Sequence, residues 1–231
     1  HSYLYRCIEL AQKARRDIYP NPYVGSIVVY NDQIIGEGFH TFYGGPHAEV
    51  NAISSVKDKS LLPHSTIYVN LEPCSHYGKT PPCSDLILHH RIPRVVIGVK
   101  DPNPRVDGGG IQRLQQNGVE VALAEDPSPF IRLNKIFWLN QLKKRSYICL
   151  KWAESSDGYM AGLGEDHRPY PVRITNTEQN RYVHSLRSFY QGILIGRNTA
   201  ETDNPSLTTR LYHGRSPIRL VLDPQLKLSP T

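Results

Sequence analysis

"LEPCSHYGKTPPCSD", residues 71–85, sets Cys74 and Cys83 nine positions apart in a stretch crowded with proline, glycine and polar side chains. That composition does not suit a buried strand, because proline removes a ladder donor and glycine weakens pairing. Two such cysteines can close a disulfide, hold a structural metal, or hold a catalytic one. Upstream, "HAEVNAISSV" reads as a helix opening after Pro46, with Val50, Ile53 and Val56 at helical spacing. Its first turn carries His47 and, two positions on, Glu49. A zinc ion takes four tetrahedral nitrogen and sulfur ligands, and a catalytic site keeps one of those positions open. His47, Cys74 and Cys83 supply three, which leaves Glu49 free to carry protons. Cys83 follows Pro82 at the start of a second short helix, where the partial positive charge favours a thiolate.

An H-x-E motif, then P-C, then a second cysteine is the arrangement used by zinc deaminases, in which the glutamate is not a ligand. Two other readings of the same residues stay open. One is a Cys74–Cys83 disulfide; the other is a structural zinc with His76 as fourth ligand.

The rest of the chain sets bounds on the chemistry. With 231 residues there is room for one large domain or two smaller ones. No apolar run is long enough to span a membrane, and the N-terminus lacks the apolar segment of a signal peptide. It also lacks an initiator methionine, so a trimmed or incomplete chain is expected. Four cysteines without a secretion signal point to a reducing, cytoplasmic compartment. The formal charge of +6 suits phosphorylated substrates or nucleic acid, but the basic residues are scattered apart from Lys143-Lys144-Arg145.

Periodicity predicts a helix over residues 3–16, a hairpin from "VGSIVVY" and "IIGEGF", and a strand at "TIYVNL". A short helix "SDLILHH" follows with Ser84 as N-cap, then a strand "RVVIGV", a helix over 111–117 and a strand "VEVAL" parallel to the preceding one. One helix is expected after Pro127, packed by Phe130, Leu133, Phe137 and Trp138. Beyond Arg145 a new alternation begins, with strands at "YICLKWA", "GILIG" and "IRLVLD" and a helix at "NTEQNRYVHSLRSFY". The expected architecture is α/β: a mixed sheet sandwiched by helices over residues 1–145, then an incomplete α/β domain over 146–231.

The spacing of the cysteines separates subfamilies. The eight residues "SHYGKTPP" between them, with "NPYVG" (21–25), "HAEVNAI" (47–53), "DPNP" (101–104), "GGGI" (108–111), "DGYMA" (157–161), "RIT" (173–175) and "TDNPSLTTR" (202–210), resemble one family over essentially the whole chain. That family is the bifunctional diaminohydroxyphosphoribosylaminopyrimidine deaminase / 5-amino-6-(5-phosphoribosylamino)uracil reductase of riboflavin biosynthesis. The resemblance implies a cytidine-deaminase-like first domain with His47, Cys74 and Cys83 as ligands of one zinc and Glu49 as the proton shuttle. It implies a pocket for a phosphorylated pyrimidine lined by Asn21, His40, His76, Lys79, Thr80, Asp101 and Asn103. It implies a dihydrofolate-reductase-like second domain that uses NADPH, with Ala153, Arg173, Thr199 and Asp203 toward the cofactor and Arg187, Leu207 and Arg210 toward the substrate. Pro171-Val172-Arg173 departs from the family's usual serine- and tryptophan-containing stretch, and the glycine-rich segment for the cofactor pyrophosphate is expected beyond residue 231.

A homo-oligomer that binds neither nucleic acid nor membrane is expected. The alternative enzyme reading is a deaminase of the same zinc superfamily acting on free nucleotides or on transfer RNA. A non-enzymatic alternative is a zinc-stabilised interaction module.

Overall fold

A computed structural model describes residues 2–14, 18–77, 81–103, 106, 108–167, 169–170 and 172–228. The chain divides into two compact units, residues 1–148 and 149–231.

In the first unit, α1 (Ser2–Gln12) precedes a hairpin of β1 (Gly25–Tyr30) and β2 (Gln33–Phe39). Asn31 and Asp32 both take positive φ in its two-residue turn, the twist that suits antiparallel neighbours. Then come α2 (Ala48–Ser55), β3 (Thr66–Val69), α3 (Cys83–His89), β4 (Arg94–Ile97), α4 (Gly109–Gln116) and β5 (Glu120–Leu123). The sheet order is β2-β1-β3-β4-β5, antiparallel through β3 and parallel from β3 to β5. Alternation along β1 sorts the two faces. Val28 joins Ile53, Ile67, Ile87, Val95 and Leu114 under α2, α3 and α4, while Ile27 and Val29 pack with Cys7 and Leu10 of α1.

Several helix boundaries differ from expectation: α1 ends at Gln12, short of residue 16, and α4 starts at Gly109 rather than Ile111. Cys83 opens α3 as its place after Pro82 suggests, but Pro82, not Ser84, takes the cap position. Ser84 is buried in the first turn, and its backbone N–H goes to the Cys74 carbonyl at 3.1 Å. The helix after Pro127 is split into α5 (Ser128–Leu133) and α6 (Lys135–Lys143). Asn134 sits at the break with φ −108° and ψ 27°, and its side chain is committed to the backbone of Tyr23. Phe130, Phe137 and Trp138 pack in the cluster beneath, as the spacing predicts, whereas Leu133 does not join that cluster.

The second unit contains β6 (Gly162–Leu163) paired with β7 (Pro169–Tyr170), α7 (Thr177–Phe189), β8 (Gly192–Gly196), α8 (Arg197–Asp203) and β9 (Ile218–Leu222). A capping box starts α7: Gln179 N–H donates to Asn176 Oδ1 at 2.8 Å, and Asn176 N–H donates to Gln179 Oε1 at 3.0 Å. β8 and β9 pair in parallel, and every residue of β9 is exposed. The expected strand at residues 147–153 does not form. No neighbouring strand pairs its backbone among the described residues, so alternation alone cannot hold it extended.

Candidate active site

Three elements converge on one point. His47 is the cap residue of α2, Cys74 lies on the loop leaving β3, and Cys83 is the first residue of α3. His47 Nδ1 is 3.5 Å from Cys74 Sγ and 3.3 Å from Cys83 Sγ, and the three donor atoms lie within 4.8 Å of one another. All four cysteines are free thiols, so there is no Cys74–Cys83 disulfide. His76 is exposed and is not part of the cluster, which removes the expected fourth ligand of a structural site. One imidazole and two sulfurs, with no fourth protein donor among the described residues, fit a metal that keeps an open position.

The electrostatics agree with that donor set. The Cys83 thiol, then His47, then the Cys83 N–H that donates to Cys74 Sγ at 3.3 Å, pull the Cys74 thiol well down against burial. The neighbouring Cys74 sulfur and burial raise the Cys83 thiol. Cys74 also raises His47. Glu49 is 3 % exposed in the first turn of α2, within hydrogen-bonding reach of the Cys83 thiol. Burial pushes its carboxyl up to about 7, against the opposing pull of His47.

Beside the cluster, His40 stacks edge-on to His47 at 5.6 Å between centroids. Its Nδ1–H donates to the Pro46 carbonyl at 2.9 Å, and its Nε2 accepts from the Asn21 amide at 2.9 Å, which fixes one neutral tautomer. Burial lowers its pKa and keeps it so. Asp101 is buried and accepts the Asn103 N–H at 2.7 Å, closing a tight turn. Lys79 and Thr80 lie outside the described residues.

Three buried residues of this unit escape the sequence reading. Asn70 and Asn134 hold the backbone of Tyr23, and Glu72 collects backbone donors from residues 101–111. Glu72 had one visible signal, its place two residues before Cys74. Asn134 had none.

In the second unit, the loop of residues 204–211 docks on α7. Arg187 Nη1 donates to the Thr208 carbonyl at 3.1 Å, and Arg210 Nη1 donates to Ser206 Oγ at 3.0 Å. The backbone N–H groups of Arg210 and Leu211 both donate to His184 Nδ1, at 3.0 and 3.2 Å. Burial and the charge of Arg210 lower the Arg187 pKa. Leu207 is buried on the same loop at φ 51°. Thr199 and Asp203 are exposed on α8, whereas Ala153 and Arg173 lie on irregular backbone.

Comparison with known proteins places these features. Residues 1–99 match the cytidine and deoxycytidylate deaminase zinc-binding region, and residues 146–231 match the RibD C-terminal domain. The riboflavin biosynthesis protein RibD of Synechocystis is 40% identical over 227 residues, covering 98% of this chain and 60% of that protein. Its Escherichia coli counterpart is 39% identical over 242 residues, covering 99% and 64%. The crystal structure of the deaminase/reductase from Thermotoga maritima superposes with a TM-score of 0.87 at 40% identity, covering 100% of this chain and 64% of that one. This chain spans about three fifths of the length of the curated relatives it matches. Shared sequence along nearly its whole length, the matching fold and the histidine–cysteine–cysteine cluster lead to one conclusion: the chain joins a cytidine-deaminase-type zinc-binding region to a RibD C-terminal domain and is similar throughout to the riboflavin biosynthesis proteins RibD.

Proposed function

We propose that residues 1–145 carry out zinc-dependent hydrolytic deamination of a diamino-ribosylamino-pyrimidinone phosphate, and that residues 146–231 contribute to NADPH-dependent reduction of its ribosyl group to ribityl. The observation that carries the first half is a buried carboxylate, Glu49, beside an incomplete tetrahedron of His47, Cys74 and Cys83. Zinc bound there supplies a Lewis acid that makes water nucleophilic near neutral pH.

The chain's own residues handle the protons. Glu49, poised near neutrality, takes a proton from the attacking water and returns it to the departing amine, so a C–O bond forms as the C–N bond breaks and ammonia leaves. The Asn21–His40 pair and the Asp101–Asn103 turn offer hydrogen bonds to the ring and ribose. Lys79 and Thr80 are assigned to the phosphate. Arg187 on α7 and Arg210 on the loop that docks against it suit the phosphate of the reductase substrate. Ala153, Arg173, Thr199 and Asp203 are assigned to NADPH.

Among the described residues no helix is long and apolar enough to cross a membrane. A cytoplasmic homo-oligomer is part of the same reading, supported for location by the free thiols and checked for assembly by light scattering.

The test is Glu49→Gln. Zinc content should be unchanged, while turnover of the pyrimidine phosphate falls by about 10²–10⁴. Cys83→Ser should lose most of the metal. Full zinc and full activity in either variant would overturn the assignment.

A further inference from the structure

The Glu72 carboxylate is 4% exposed and accepts four backbone N–H groups from one distant segment. Asp101 and Gly108 donate to Oε2 at 3.2 and 3.1 Å, and Gly110 and Ile111 donate to Oε1 at 3.0 and 3.2 Å. Gly110 and Ile111 lie in the first turn of α4, where a helix has no carbonyls of its own to offer its leading N–H groups. Glu72 thus closes the start of α4 from outside, with negative charge at the positive end of the helix. The backbones also touch. Glu72 N–H donates to the Val99 carbonyl at 2.9 Å, and a Cβ on Gly110 would fall 1.9 Å from the Pro73 carbonyl oxygen. One side chain therefore ties the strand end that leads into Cys74 to the loop bearing Asp101 and Asn103.

From this geometry we infer that Glu72 is a positioning residue for the deamination, holding the Asp101–Asn103 loop in register with the Cys74 side of the site. The inference rests on the deaminase reading above and concerns substrate binding, since Glu72 directs its four bonds to backbone outside the His47–Glu49–Cys74–Cys83 group. A loop that must be re-ordered by its ligand raises KM, while the proton transfer carried by Glu49 keeps kcat near its original value.

The experiment is Glu72→Gln in the 231-residue chain. An amide has one acceptor oxygen and one donor nitrogen, so one pair of N–H groups loses its acceptor and faces another donor. Zinc per chain should match the parent, and exchange of the Asp101, Gly108, Gly110 and Ile111 amides should accelerate at least about tenfold. KM for the pyrimidine phosphate should rise about tenfold with kcat within about threefold, the loss of one or two net hydrogen bonds. Gly110→Ala, which separates α4 from Pro73 without altering an acceptor, should give the same split and decides the matter if Glu72→Gln does not fold.

An active parent whose variants keep the parental KM, or lose kcat with KM unmoved, overturns the positioning role. So does zinc loss in a folded Glu72→Gln. A zinc-loaded parent without turnover instead overturns the deaminase reading, and with it the substrate half of this inference.

Discussion

Tyr23 lies two residues after Asn21, and two asparagines hold its backbone. Asn134 accepts its N–H at 2.7 Å and donates to its carbonyl at 2.9 Å, while Asn70 donates to the same carbonyl at 3.0 Å and accepts the Gly25 N–H at 2.7 Å. These bonds fix the segment that presents Asn21 to His40. Asn134→Ala should cost about 1–2 kcal/mol in urea denaturation, because a part-buried N–H loses its acceptor. It should also raise KM through the displaced Asn21. Arg6 makes a two-pronged contact with Glu37, at 2.7 and 3.0 Å, and holds that carboxyl below its usual range. The folded pKa is the lower one, so the stabilisation is complete above the ordinary carboxylate range and is lost as pH falls through the folded value. Glu37→Gln should remove this part of the acid dependence and cost about 0.5–1 kcal/mol at neutral pH, the scale of a half-exposed pair. Denaturation curves at neutral and acidic pH measure both effects.

At the scale of elements, the seat of α2 decides where His47 and Glu49 stand. Glycines in β2 let the helix approach the sheet: a Cβ on Gly38 would lie 2.3 Å from Ala52 N, and one on Gly36 would lie 2.5 Å from Ala52 O. Gly38→Ala should push α2 outward, cost about 1–3 kcal/mol, and reduce turnover, which urea denaturation and steady-state kinetics would show. The far end of α2 is closed by Lys59, whose ammonium donates to the carbonyls of Ile53, Ser54 and Val56. Lys59→Met keeps the aliphatic stem but loses the charge at the negative helix end. Its expected cost is about 0.5–1 kcal/mol by thermal unfolding, with kcat unchanged.

For the whole molecule, the two units differ in what they bury. Residues 1–148 enclose three apolar clusters among the described residues, on the two faces of a five-stranded sheet, together with the His47–Cys74–Cys83 cluster. Produced alone, they should bind about one zinc and retain deaminase turnover. Residues 149–231 present a two-stranded sheet with β9 exposed throughout, and the assigned cofactor positions Thr199 and Asp203 face solvent. Titration of NADPH into the 231-residue chain should therefore show no stoichiometric binding at micromolar concentrations.

Local pattern was enough for whatever local chemistry controls. The hairpin, the helices opening after Pro46 and at Cys83, and the parallel β4–β5 pair follow from periodicity, turn residues and the need for a crossover. The spacing of His47, Glu49, Cys74 and Cys83 pointed to a metal site because few other chemistries need that donor set. Tertiary packing decided the rest. It broke the helix at Asn134, whose side chain holds the part-buried Tyr23 backbone, and it left residues 147–153 without a ladder because no strand among the described residues pairs with them. It also made Glu72 the anchor of a segment beginning 29 positions later. Sequence spacing carries no record of which buried N–H groups will lack a partner, and that depends on how distant segments meet.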